Sequence, residues 1–90
     1  MKVYRQGDVI VSEAKVPRRA EHVGDEVRIA SETGNAHVLP GKAYRSGRLQ
    51  YVVLEEPTQM THPQHAALTL PAGTYGVRTV NDYIPRRMLD

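Results

Sequence analysis

Apolar residues in this chain come in runs of only a few positions, many alternating with polar ones, and each run is soon ended by Gly, Pro or Asn. Such runs are too short for helices and suit strands separated by turns. Val9-Ile10-Val11 follows the turn Gly7-Asp8. Val27 to Ala30 alternates and leads through Gly34-Asn35 into Ala36-His37-Val38-Leu39, the shape of a hairpin closed at Pro40-Gly41. Ala43-Tyr44-Arg45 and Arg48 to Leu54 flank Ser46-Gly47 as a second hairpin, with Leu49, Tyr51 and Val53 on one face at period two. Leu68 to Leu70 and Thr74 to Val80 form a third pair across Pro71-Ala72-Gly73, and Tyr75, Val77 and Thr79 share a face. About seven short, mostly antiparallel strands predict an all-β barrel or sandwich.

Length confines that sheet to one domain spanning 1–90, able to bury roughly 60 to 65% of the surface of its unfolded chain. With no Phe and no Trp the core must be built from Val, Leu and Ile, and each of the five tyrosines needs a hydrogen-bond partner or a wet edge. The absence of cysteine excludes disulfides and thiolate metal sites, so any metal must be held by nitrogen or oxygen. Neither a long apolar run nor a charged leader with an apolar segment is present, and a complete, cytoplasmic chain is expected. The stretch 12–26, with Pro17, Arg18-Arg19 and Gly24-Asp25, predicts a long loop. The tail 81–90, interrupted by Pro85, predicts coil or a single turn.

Histidine is where the chemistry exceeds what folding requires. His62 and His65 stand three apart around Pro63-Gln64, and His37 follows a Gly-Asn turn. Three imidazoles that converge can hold Zn or Fe as a divalent ion with a position left open for water. Pro63 keeps this pair from the helical arrangement of zinc proteases, and in an extended segment the two rings point apart unless the chain turns at Pro63-Gln64. Glu32, Asn35 and Glu56 are the candidates for a fourth ligand or for a partner that orients a ring, with Glu55 beside the last. His22, in the polar loop, belongs to no site. Gly-x-Ser-x-Gly elbows, phosphate loops and dinucleotide fingerprints are absent.

Charge separates the remaining classes only weakly. The formal charge is +2, but nine of the twelve cations are Arg, the side chain that grips phosphate and carboxylate with two parallel bonds. Arg18-Arg19 and Arg86-Arg87 are therefore candidates for an anion or nucleic acid. Tyr83 is the one ring near them able to stack a base.

In order along the chain, Gln6-Gly7-Asp8-Val9, Gly34-Asn35-Ala36-His37, His62-Pro63-Gln64-His65, Leu70-Pro71-Ala72-Gly73-Thr74-Tyr75 and Asp82-Tyr83-Ile84-Pro85 resemble a family of small uncharacterised bacterial and phage proteins. Those proteins carry Gln-Gly-Asp-Val, Gly-His-Ala-His, His-x-x-His, Leu-Pro-x-Gly-x-Tyr and Glu-Tyr-x-Pro. The resemblance implies a common fold and no established activity. Asn35 stands where the family has the first histidine of its turn, so three of four histidines remain here. The basic-acidic run before the terminal Tyr is replaced by Thr79-Val80-Asn81-Asp82.

Three functions follow as expectations. The first is a binding module that coordinates a divalent metal through His37, His62 and His65 and acts on an unidentified protein or small molecule. The second is a small metal-dependent enzyme using the same ligands, with Glu32 or Glu56 as base and no catalytic residue assigned beyond that. The third is an Arg-based binder of anions or nucleic acid. Exposed strand edges in so small a sheet are compatible with a homodimer, and no membrane association is expected.

Overall fold

A computed structural model describes residues 2–31 and 34–80. Eight strands build it: β1 Val3–Gln6, β2 Val9–Glu13, β3 Glu21–Ala30, β4 Ala36–Ser46, β5 Leu49–Leu54, β6 Thr58–His62, β7 His65–Leu70 and β8 Gly73–Thr79. Every pairing is antiparallel, in the order β1-β2-β8-β5-β4-β6-β7, with β3 on the other edge of β4. The sheet curls until β7 approaches β1, giving a nearly closed barrel. Of the all-β barrel or sandwich expected from the strand pattern, the barrel is the one observed.

Two boundaries differ from expectation. Pro40-Gly41 does not end an arm: β4 runs on to Ser46, pairing with β6 at Val38 and with β5 from Lys42 onward. At Gly41, φ is 151° and an added Cβ would lie 2.7 Å from Leu54 Cδ2, 2.8 Å from Val52 Cγ2 and 3.0 Å from the Val53 carbonyl. Only a residue without Cβ lets β4 pass so close to β5. In the stretch 12–26, residues 14–20 lie outside the strands, while Glu21–Glu26 forms the first half of β3, stepping out of register around Gly24. Its side chains are mostly exposed, so no apolar alternation marks it as a strand. The tail 81–90 lies outside the described residues.

Inside the barrel, Val9, Val11, Val27, Ile29, Leu39, Val52, Leu54, Met60, Leu70, Tyr75 and Val77 form one cluster. On β5 the core face is that of Val52 and Leu54, not that of Leu49 and Val53. Tyr51, buried on the opposite face, packs over Gly76, where an added Cβ would stand 3.8 Å from its ring. Tyr75 satisfies its hydroxyl by donating to the Pro71 carbonyl at 2.7 Å, and burial raises its pKa.

The approach of β7 to β1 is bridged by a side chain. Buried Gln6, the last residue of β1, donates both amide hydrogens, to the Met60 carbonyl on β6 and the Ala66 carbonyl on β7, each at 2.9 Å. No backbone register joins β1 to β7 among the described residues. The histidines gather at this seam.

Candidate functional site

Three tight turns bring the site together. Gly7-Asp8 links β1 to β2, with Gln6 paired to Val9 and Gly7 at φ 58°, a left-handed conformation that disfavours any side chain. Pro63-Gln64 links β6 to β7 as a two-residue turn, so His62 and His65 pair across it. The third brings the chain from Ser31 back to Ala36: Ser31 N–H and Oγ–H both donate to the Asn35 carbonyl, at 2.7 and 2.9 Å, and β4 then starts with His37 opposite Ile29.

His37 is 1% exposed and both of its ring nitrogens are engaged. Because the Gln6 amide nitrogen is committed to two carbonyls, its oxygen must face His37 Nδ1, at 2.9 Å, and accepts the proton there. The other nitrogen, Nε2, lies 3.0 Å from Asp8 Oδ1. In a neutral ring protonated at Nδ1, that contact sets a lone pair against a carboxylate oxygen. It is favourable only with a cation between them, a proton or a metal ion.

His62 has the opposite tautomer. Its Nδ1 accepts the Gln64 backbone N–H at 3.0 Å, so the proton of the neutral ring sits on Nε2, 3.3 Å from Ser31 Oγ. The Ser31 hydroxyl hydrogen points at Asn35, so in this contact its oxygen is the acceptor. Burial holds the His62 pKa below the ordinary histidine value, and repulsion from His37 and His65 adds to this, while Asp8 acts in the other direction.

His65, the exposed member, lies against Gly7: an added Cβ there would be 2.5 Å from its Nε2. Ring centroids are 4.3 Å apart for His37 and His62, 4.6 Å for His62 and His65, and 5.8 Å for His37 and His65. The last two rings in this series, His37 and His65, stack at an interplanar angle of 13°, which directs their in-plane lone pairs along parallel planes. As arranged, no three His, Asp or Glu side chains among the described residues are set to hold an ion together. The His62 bonds and the His37–His65 stacking are the physical reason.

The other candidates lie apart from the rings or contribute differently. Asn35 reaches the site through its backbone carbonyl on Ser31. Glu56 is exposed before the start of β6, and Thr58 to His62 spans about 13 Å of extended chain, so it stands at the wrong end of that strand to support the rings. Arg18 and Arg19 occupy an exposed turn closed by the Ala20 N–H on the Pro17 carbonyl, and His22 packs its ring near Tyr44. Glu32, Arg86 and Arg87 lie outside the described residues. Gln6, Asp8 and Ser31 are the residues missed by reading motifs singly. Gln6 and Asp8 flank the Gly7 turn, and that spacing was the available clue.

A groove of about 420 Å³ runs outside the β4–β6 contact, with His62, Arg28, Val38 and Thr61 in its walls. No helix among the described residues is long and apolar enough to cross a membrane. Neither the curated proteins nor the solved structures contain a match to this chain. A family profile described as a domain of unknown function (DUF8820) matches residues 5–80, and the chain therefore belongs to the DUF8820 family.

Proposed function

We propose that this protein is a small binding module that takes up a divalent cation, of the zinc or ferrous iron class, at the seam of its barrel. The contact between His37 Nε2 and Asp8 Oδ1 carries the proposal. Two donors about 2.1 Å from one ion stand about 3.0 Å apart at the right angles of octahedral coordination and about 3.4 Å apart in a tetrahedral site; the separation here is 3.0 Å. Gln6 holds the far nitrogen of His37 in its protonated form, as partners of metal-bound histidines do. His65 supplies a third ligand by turning its exposed ring off Gly7. His62 joins only by giving up the Gln64 N–H.

Zinc and ferrous iron titrations of tag-free, chelator-treated protein test this, read by calorimetry and elemental analysis. About one equivalent is expected, with affinity about tenfold or more weaker in Asp8→Asn, a change that preserves side-chain shape. Less than about a tenth of an equivalent, with no heat from either metal, would leave the rings as a clasp of the seam and overturn the proposal.

Use of the ion in catalysis is the second reading, favoured by the groove beside His62. It requires an open coordination position. A visible spectrum of the Co²⁺-loaded protein that responds to azide supports it, and an unchanged spectrum leaves binding alone. A cytoplasmic location and a bacterial or phage source belong to the same proposal and rest on the sequence.

A further inference from the structure

A second concavity, of about 390 Å³, opens where the ends of β3 and β8 meet the beginning of β5. Its floor is apolar, from Ile29, Leu49 and Val77, and its rim carries Arg48 and Arg78, with no carboxylate among the described lining residues. Arg48 belongs to the Gly47-Arg48 turn and is exposed, whereas Arg78 is half-buried. The Arg78 guanidinium lies near Gly76 beside the Tyr51 ring, 3.7 Å from the position of an added Cβ, an ordinary contact distance. Among the described residues, neither arginine forms an ion pair.

From this we infer that the concavity binds a small organic carboxylate with a short apolar body. A guanidinium presents a fixed fork of donors that matches a carboxylate in a way a lysine does not. The volume is at the lower end of small-molecule sites, and an apolar floor with a few polar groups at one side is the usual composition of such sites. Charge complementarity selects an anion, and the apolar floor selects an organic one. Nucleic acid fits less well, because the described lining residues include no aromatic ring on which a base could stack. No histidine lies among the described residues of this lining, and the inference does not rest on metal binding.

Hexanoate and inorganic phosphate, each titrated into the isotopically labelled full chain, provide the test by NMR. Saturable shifts of the Leu49 and Val77 methyl resonances are expected with hexanoate, with Kd on the order of 1 mM. Phosphate at the same concentrations should move them far less. The double variant Arg48→Gln, Arg78→Gln is expected to weaken hexanoate by about tenfold or more, with the remaining spectrum showing an intact barrel. No saturable shift, an equal response to phosphate, or hexanoate binding unaltered in the folded double variant would each overturn the inference.

Discussion

The Gln6 side-chain oxygen lies 2.9 Å from His37 Nδ1, and this one bond joins the start of β4 to β1 across the seam where the barrel is not closed by backbone pairing. The same carboxamide spans to β6 and β7. A single buried side chain therefore fixes both the closure of the sheet and the tautomer of the histidine beside it.

Replacing Gln6 by Leu removes those bonds while keeping bulk. The Met60 and Ala66 carbonyls and His37 Nδ1 then lose their partner in a buried setting, and unsatisfied groups of this kind cost about 1–3 kcal/mol each. Partial access of water at the opened seam limits the total, and a loss of about 3 kcal/mol is expected in urea unfolding. A loss below about 1 kcal/mol would show that the seam does not depend on Gln6.

Gly7→Ala introduces a Cβ at φ 58° and 2.5 Å from His65 Nε2. His65 is exposed and can swing aside, so the cost is mainly the left-handed backbone, about 1–2 kcal/mol. The more telling readout is the His65 ring resonances, which should lose the shielding from the stacked His37 ring. Unchanged ring shifts would contradict the packing of His65 on Gly7.

Acid should weaken the fold through His62. Its folded pKa is depressed, so between that value and the ordinary 6.5 the unfolded chain binds a proton that the folded chain does not. Its contribution to stability is complete above about pH 6.5 and falls as the pH drops toward the folded pKa, because a protonated Nδ1 would meet the Gln64 N–H. His62→Gln should flatten this part of the profile between about pH 5 and 7. Equal slopes in the two proteins would count against the assigned tautomer.

At Gly41 the close passage of β4 over β5 leaves no space for a methyl group, since the neighbours at 2.7–3.0 Å include the Val53 carbonyl, which cannot turn away. Gly41→Ala should cost about 2 kcal/mol by overpacking. Thermal unfolding close to that of the parent would show that the strand relaxes instead.

Strands with two adjacent or alternating apolar residues were legible in the sequence, whereas the turn that pairs His62 with His65 stood only as a condition at Pro63-Gln64. β6 was not: its inward positions are Met60 and His62, so half of its buried face is a histidine and the period-two pattern is masked. β1 buries only Gln6 fully. Both strands are recognisable only once the polar side chains at their ends have partners, which local pattern cannot supply. The histidines drew notice as potential ligands because of their chemistry. Asp8 did not, because an aspartate after glycine is an ordinary turn residue until the fold sets it beside His37.

Backbone pairing joins the β6–β7 hairpin to the rest of the sheet at one register pair, Val38 with Thr61; its other ties are side chains, with Met60 and Leu70 in the core and the Gln6 carboxamide at the seam. It is a leaf with little backbone pairing to its neighbours, while β2, β8, β5 and β4 share long ladders. With so few backbone bonds to its neighbours, this leaf is expected to exchange its amide hydrogens faster than the long ladders do. Whatever engages Asp8, His37 and His65 together would latch it.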